Sequence, residues 1–462
     1  MKTINFSELF LQFKSSFIID ASTKKEYTYE EFYNQVKIIS KELNEQKIPL
    51  RSIVIIYKIE NPLETLLMFF ACIEVSLIPF VVENEDVNEL RNLGYKSIIS
   101  TENKLDENYS TSKLESIASC FIHFVNGDNI YFGAENDFIL VTSSKSTSTI
   151  SKKILLGKKE TLFNIISNSK SLPISSDDVT LILLPLSYSY GLIAQFLTHL
   201  YIGADIVLAP RILGIMQLKS IIGKYRITNI FLTPLLARLA FTYNQNYIEN
   251  NLKFITLGGD KPSLTTIQNI YQILKCSIYG TYGLAEAGPR VATSKIDLNS
   301  DKVSLGRINV GIEASILEIE KYKYLLRCDR IGLLKIETPS TYLGYIEGDK
   351  LVAPSDNFLL TKDVVYSKDN QYYLLGRDDE FINNNSQIYW FQEMKDFFYN
   401  NPNVLKVKIS KYNTNKIRIV IFYKKEETSK FFMEDTFKRH FDLRKNIDYE
   451  IELVSYQHNQ YK

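Results

Sequence analysis

Cysteine and histidine are scarce in this 462-residue chain, four of each, and none sits near another. Cys72, Cys120, Cys276 and Cys328 lack the short spacings of a zinc site, so a structural metal cluster and a disulfide framework are both excluded as organising features. They are expected to be reduced and mostly buried, as in a cytoplasmic protein. His123, His199, His440 and His458 are equally scattered, and nothing in their placement points to a Ser-His or Cys-His hydrolase, though scatter in sequence does not exclude one. Charge of one sign is missing too. The net charge is +1 with no basic block, which argues against nucleic acid as a partner. No apolar run is long enough to cross a membrane: the longest, from Leu66 to Val82, is broken by Glu74 and Pro79. The first residues, MKTINFSELFLQFKSS, lack the apolar centre and small-residue cleavage site of a leader, so none is expected there. Internal repeats and low-complexity linkers are absent as well.

What is present is an ordinary globular composition, 45% apolar and 23% charged, in a chain long enough for roughly two or three domains. Through the first half, short aliphatic runs alternate with helical patterns. Strands are expected at Ser52–Lys58, Ser76–Val82, Lys96–Ser100, Asp137–Thr142, Val179–Leu184, Ala204–Leu208, Asn229–Leu232 and Lys253–Leu257. Helices are expected at Glu64–Val75 and around Thr161–Ser169 and Leu192–Leu200. That alternation predicts a largely parallel α/β sheet covered by helices. From about Val303 the runs become short and antiparallel in character: Glu313–Glu320, Tyr324–Arg327, Leu333–Glu337 and Gln371–Leu375. A small α+β module closes the chain, with helices at Phe391–Tyr399 and Met433–Phe441 and strands at Val404–Lys411, Lys416–Tyr423 and Asp448–Val454. The boundary falls at Gly376–Asp379.

Several stretches carry chemistry. Tyr279–Glu286 (YGTYGLAE) follows a short strand and combines two glycines with an acid. Upstream, Leu257–Asp260 (LGGD) is a second glycine turn after a strand. Two such turns at strand ends line the ligand crevice of an α/β sheet. Leu184–Leu192 (LPLSYSYGL) runs from a strand end into an aromatic loop and a helix, and read alone it is core packing with a proline bend. Val141–Lys153 (VTSSKSTSTISKK) is rich in hydroxyls and lysines, and reads either as a surface loop or as a phosphate cradle.

Taken in order, these stretches resemble the adenylate-forming superfamily of acyl- and aryl-CoA synthetases, adenylation domains and luciferases. The family pattern runs from a Thr-Ser-Gly-rich loop through Leu-Pro-Leu with an aromatic loop, then Gly-Gly and Tyr-Gly-x-Thr-Glu. It ends in aromatic-x-Thr-Gly-Asp and Gly-Arg-x-Asp-Asp, met here as Leu359–Asp363 (LLTKD) and Gly376–Asp379 (GRDD). Glu26–Phe32 (EYTYEEF) and Thr341–Tyr345 (TYLGY) fit flanking family segments, so the resemblance spans nearly the whole chain. It implies a large N-terminal AMP-binding domain over 1–376, made of mixed α/β subdomains plus a β-rich part. A small, mobile α+β C-terminal domain over 377–462 completes it. It further implies use of ATP and Mg²⁺ to activate a carboxylic acid as its acyl-AMP. Transfer follows to the thiol of CoA or of the phosphopantetheine arm of an acyl or peptidyl carrier protein.

The resemblance also implies residue roles. Asp363 holds the ribose hydroxyls, Arg377 stands near the ribose, and Asp379 is the hinge. Glu286 is a catalytic carboxylate and the Mg²⁺ ligand. Tyr282 and Gly283 flank the adenine, as do Gly258, Gly259 and Asp260. Thr142, Ser143, Ser146, Thr147 and Lys152 cradle the phosphates. Ser187, Tyr188, Tyr190 and Gly191 shape the acyl pocket. Lys462, beyond the strand Asp448–Val454, takes the place of the lysine that enters the site for adenylation. The aromatic loop offers no carboxylate to pair an ammonium, so an aryl, fatty or hydroxy acid is expected rather than an α-amino acid.

The pattern is broken in places. Ser144 stands where the phosphate loop has a glycine, with Thr147 near the other glycine position, and Ser151-Lys152 replaces a Pro-Lys pair. Ala285 replaces a threonine, Lys362 a glycine, and Asn383–Ser386 a segment with Lys and Gly. Two readings therefore stay open: an active acid–thiol ligase, and a degenerate relative that binds nucleotide or acyl ligand without full catalysis.

Overall fold

The computed structural model describes residues 6–455 apart from 84, 86–89, 91–92, 106, 118, 126–129, 144–150, 212, 242–249, 323–329, 385–386, 402, 414–415, 424–436, 438–439 and 442–447. Among these residues the parallel strands fall in two nine-stranded sheets rather than one. In the first, Phe17–Asp20, Asp205–Leu208, Val179–Ile182, Asn229–Leu232, Phe254–Gly258 and Ser277–Tyr282 run parallel. Antiparallel strands close both edges, Lys25–Thr28 on one side and Ala292–Lys295 with Arg307–Ile308 on the other. In the second, Ile53–Tyr57 pairs in parallel with Ile78–Val82 and with Tyr95–Ser100. Asp137–Thr142 joins Ile78–Val82 in parallel and then turns back into Lys153–Gly157 as an antiparallel pair.

The local reasons are visible in the residues. Ile53–Tyr57 (IVIIY) and Ile78–Val82 (IPFVV) are buried at every position, as β-branched strands covered on both faces must be. Helix Tyr29–Glu45 starts at a capping box, in which Thr28 and Glu31 each satisfy the other's backbone N–H. Helix Pro62–Glu74 begins with Asn61 accepting from the Leu63 and Glu64 N–H groups and with Pro62 at its first turn. The aromatic rings of Phe10, Phe32, Phe70 and Phe196 meet in the largest core, with Phe10 and Phe70 centroids 4.9 Å apart. That core draws buried residues from both sheets, Ile18 and Ile206 from the first and Val54 and Ile139 from the second.

A four-stranded antiparallel sheet follows: Glu313–Glu318, Arg330–Glu337, Leu359–Lys368 and Gln371–Arg377. The Tyr324–Arg327 strand expectation lies outside the described residues. Beyond Asp379 come the hairpin Phe381–Asn384 with Gln387–Trp390, the helix Phe391–Tyr399, and a three-stranded sheet of Val404–Asn413, Lys416–Tyr423 and Asp448–Ser455. This last part has its own core, built on Met394, Phe398, Ile417, Ile419, Ile421 and Phe437. Of the expected helix Met433–Phe441, only Phe437, His440 and Phe441 are described, and they are helical. Arg238 of helix Pro234–Phe241 ties the two parts together: its Nε donates to the Leu405 carbonyl at 2.8 Å and its guanidinium lies 3.9 Å from the Tyr399 ring. Among the described residues no helix is long and apolar enough to cross a membrane.

Candidate active site

The parallel strands Phe254–Gly258 and Ser277–Tyr282 are register neighbours, with Leu257 opposite Gly280 and Gly258 opposite Thr281. Their carboxyl ends therefore release the LGGD and YGL turns side by side, where an α/β sheet binds its ligand. Gly259 has φ +80°, and a Cβ there would lie 2.6 Å from the Tyr188 hydroxyl. At Gly283 a Cβ would come within 2.1 Å of the Pro289 carbonyl, so the chain passes itself too closely for any side chain.

The LLTKD and GRDD stretches meet for the same kind of reason. Leu359–Lys368 and Gln371–Arg377 are antiparallel partners that set Asp363 directly opposite Arg377. Asp363 accepts a hydrogen bond from the Tyr282 hydroxyl at 2.6 Å and faces the Arg377 Nη1 at 3.6 Å. Burial raises the Asp363 carboxyl above its ordinary range, while the Tyr282 bond and the Arg377 charge oppose that rise. Burial and the neighbouring Asp363 push the Tyr282 phenol up. Lys362 Nζ bonds Asp379 at 2.9 Å, and Arg377 Nε lies 3.7 Å from the other Asp379 oxygen. Burial would raise Asp379, but these two cations hold it below the usual carboxylate range. Lys362, which stands where the family pattern has a glycine, is thus paired to Asp379.

These groups open onto one cavity of about 360 Å³. Thr142, Tyr188, Tyr190, Gly259, Asp260, Tyr282, Gly283, Asp363 and Arg377 all line it. The aromatic loop forms part of its wall through Tyr188, Ser189 and Tyr190. Tyr190 starts a π-helical segment, Tyr190–Leu197, which continues as the α-helix Thr198–Ile202. π-Helical turns are rare and concentrate at functional sites. The Tyr190 hydroxyl bonds Thr256 Oγ1 at 2.6 Å and accepts from Thr281 Oγ1 at 3.0 Å. Burial pushes the Tyr188 phenol up to about 12.

Glu286 and Lys152 form a second cluster. Glu286 sits in a single 3₁₀ turn, Ala285–Ala287, and accepts from the Tyr345 hydroxyl at 3.1 Å. Lys152 Nζ lies 4.2 Å from the centre of the same Tyr345 ring. Ser143 and Lys152 pair across the hairpin: the Ser143 N–H donates to the Lys152 carbonyl at 3.0 Å and the Ser143 hydroxyl accepts from the Lys152 N–H at 3.1 Å. Ser187 lies at the aromatic loop, its N–H 3.4 Å from a Glu83 oxygen, and Gly191 follows Tyr190 in the π-helical segment. Gly258 is buried at its strand end. Ser146, Thr147 and Lys462 lie outside the described residues.

Sequence reasoning missed part of the wall. Lys261, Glu380, Gln392 and Lys395 also line the cavity, the last three from the part of the chain beyond Asp379. It missed Glu83 as well, whose carboxylate reaches the aromatic loop but is already paired to Arg211 at 3.2 Å. Lys153 is held by Glu85, which also accepts from the Ser151 hydroxyl at 2.9 Å. These polar residues come from separate segments of the chain, and no spacing rule joins those segments.

Residues 156–346 match the family of AMP-binding enzymes. Over that stretch the chain is similar to AMP-binding enzymes. Against curated proteins, this chain is 23% identical over 403 residues to 4-coumarate–CoA ligase 3 of Arabidopsis thaliana, covering 79% of this chain and 71% of that one. It is 22% identical over 232 residues to 4-coumarate–CoA ligase-like 8 of the same plant, covering 49% of this chain and 42% of that one. Its fold superposes on a crystal structure of the anthranilate–CoA ligase AuaEII in complex with anthranoyl-AMP. The TM-score is 0.77 at 15% identity, over 98% of this chain and 93% of that one.

Proposed function

We propose that this chain joins a carboxylic acid to a thiol in two steps through an acyl-AMP. In the first, a carboxylate oxygen attacks the α-phosphorus of ATP, the bond to the β-phosphate oxygen breaks, and pyrophosphate leaves. In the second, a thiol sulfur attacks the acyl carbonyl, AMP departs, and the thiol proton passes to solvent. The acceptor is a phosphopantetheine thiol, the group shared by CoA and carrier proteins.

One observation carries the reading. A paired, part-buried carboxylate and guanidinium, Asp363 and Arg377, face one cavity together with the aromatic loop Tyr188–Tyr190. An acceptor carboxylate suits two vicinal hydroxyls, and the glycine turns at Gly259 and Gly283 admit a flat base. Catalysis of the first step is then positioning plus charge stabilisation. Lys462 and the Thr142–Lys152 segment serve the phosphates, and Glu286 would hold Mg²⁺. One carboxylate suits an ion that keeps most of its shell in water and phosphate oxygens. Residues 377–462 turn about Asp379 between the two steps, exchanging the groups they present to the cavity.

The acid is aryl, fatty or hydroxy rather than α-amino. The aromatic loop brings only hydroxyls and rings, and the nearby Glu83 is already committed to Arg211. Trapping of the acyl-AMP with hydroxylamine, and release of AMP rather than ADP, test the reading directly. A second reading, nucleotide binding without turnover, is favoured by Ala285, which stands where the family pattern has a threonine. It predicts ATP binding with no acyl-hydroxamate from any acid.

A further inference from the structure

The last two residues of the strand Ser277–Tyr282 send their side chains opposite ways, as neighbours on a strand must. Tyr282 bonds Asp363, whereas Thr281 donates to the Tyr190 hydroxyl at 3.0 Å. All four of these residues line the cavity, which therefore has an Asp363 side and a Tyr190 side. The hydroxyl groups and rings of the aromatic loop belong to the second.

Tyr190 is fixed at both ends. Its backbone follows a doubling of the chain so tight that a Cβ on Gly191 would lie 2.6 Å from the Pro185 carbonyl. Its hydroxyl reaches across to the sheet, where it bonds Thr256 Oγ1 at 2.6 Å as well as Thr281. A Cβ at Gly258 would stand 2.8 Å from that hydroxyl and 2.2 Å from Thr281 Oγ1, so the phenol end already fills the space above the strand. Behind the ring lies a close-packed cluster of Leu172, Leu184, Ala194, Phe231 and Phe254, with the Phe231 ring centre 5.8 Å away. Of Tyr190 and those five residues, only Tyr190 lines the cavity. The cavity, about 360 Å³, is near the lower end of the roughly 300–1,000 Å³ usual for ligand sites, and in the ligase reading it holds nucleoside and acid together.

We infer that the Tyr190 ring is the floor of the acyl pocket, and that the acid is a short one, no longer than hexanoate or a single-ring acid such as benzoate. That assignment rests on the proposed ligase reading for what occupies the Tyr190 side and deepens it by naming the class of acid. An acid reaching past Tyr190 has to displace a ring that is tethered by two hydrogen bonds and packed against a core with no room to take it, and overfilled cores are destabilised. In an open apolar tunnel each added methylene would strengthen binding about fourfold. Here that gain stops at the ring and reverses, which excludes long fatty acids.

The test is a length series: the even-numbered linear acids from acetate to dodecanoate, and benzoate against biphenyl-4-carboxylate. Each is measured by ATP–pyrophosphate exchange and, independently of catalysis, by the acid's own shift of the melting temperature with AMP present. In whichever series the wild type accepts, kcat/KM should peak at hexanoate or shorter, or at benzoate, with dodecanoate or the biphenyl acid at least about tenfold lower. Tyr190→Ala should move the peak to longer acids and raise the longest one above its wild-type value. Tyr190→Phe keeps the ring and should leave the peak where it is. A wild type whose kcat/KM still rises at octanoate and beyond, or that prefers the biphenyl acid, overturns the inference. So does a folded Tyr190→Ala with an unmoved peak, or a Tyr190→Phe peak displaced as far as that of Tyr190→Ala. If Tyr190→Ala does not fold, the wild-type series and Tyr190→Phe decide. Melting shifts confined to short acids, without exchange, remove the ligase reading and keep the floor. Exchange that climbs to dodecanoate does the reverse, and neither exchange nor a shift with any acid overturns both.

Discussion

Substituting Asp363 with asparagine changes one atom of the proposed ribose contact and little else. Asn keeps the volume and an oxygen that accepts from the Tyr282 hydroxyl, now 2.6 Å away. It removes the charge that the ribose hydroxyls would meet, and with it about 1.5–3 kcal/mol per charge-assisted hydrogen bond. Affinity for AMP or ATP should fall by about tenfold to about 150-fold. The fold should not suffer in proportion. Burial works against the Asp363 carboxylate, so neutralising it relieves a cost, and Arg377 retains Asp379 at 3.7 Å. The net change in stability should stay within about 1 kcal/mol, as for partly exposed ion pairs. Calorimetric titration of wild type and Asp363→Asn with ATP, 2′-deoxy-ATP and 3′-deoxy-ATP closes a double-mutant cycle. The deoxy nucleotides should lose affinity for the wild type and almost none for the variant, with a coupling of about 1 kcal/mol or more. Affinities within twofold across the two proteins, or losses that simply add, would refute the assignment of Asp363 to the ribose.

Three further outcomes are expected. Lys462→Ala should slow acyl-AMP formation by about 10²–10³, the usual loss for one donor on developing charge. Thiol transfer from preformed acyl-AMP should stay nearly unchanged, and single-turnover kinetics of the two half-reactions separate them. Gly259→Ala places a Cβ 2.6 Å from the Tyr188 hydroxyl at φ +80°, so nucleotide affinity should fall, with about 1–2 kcal/mol of backbone strain appearing in urea unfolding. His199 is buried, its Nδ1–H donating to the Gln195 carbonyl at 2.8 Å, and burial holds its pKa down at about 4 against an ordinary 6.5. The unfolded chain takes up the proton first, so this contribution to stability is complete above pH 6.5 and drains away as pH falls toward 4. His199→Gln should therefore lose less stability than wild type between pH 7 and pH 4, by up to about 3 kcal/mol in urea titrations.

The parts of the fold readable in the sequence are those where one physical demand dominates. Strands such as Ile53–Tyr57 and Phe254–Gly258 are buried throughout, so an unbroken aliphatic run announces them. The glycine turns after Leu257 and Tyr282 announce themselves because close approach leaves no alternative to glycine. Polar edge strands do not. Lys25–Thr28 and Tyr109–Lys113 are largely exposed and lack alternation, and their pairing partners alone make them strands. Periodicity also cannot say which strands share a sheet, so a single parallel sheet was expected where two exist. The helix after Tyr190 was expected from its apolar run, but its π winding leaves no mark in a pattern of buried residues. In the site, Asp363 and Arg377 were visible as motif residues, whereas their direct opposition depends on the register of two strands. Glu83 was invisible for a different reason: a charge reads as surface in a sequence, and a distant partner is a property of the folded chain.

The central claim is that ATP and a carboxylic acid react in the cavity that Asp363 and Arg377 share with the aromatic loop. ATP–pyrophosphate exchange over a panel of aryl, fatty and hydroxy acids, with the proteinogenic amino acids alongside, tests it most directly. The account predicts exchange that depends on an added acid of the first group and falls at least about tenfold in Asp363→Asn. No exchange with any acid, together with no ATP binding by the wild type in calorimetry, would contradict it.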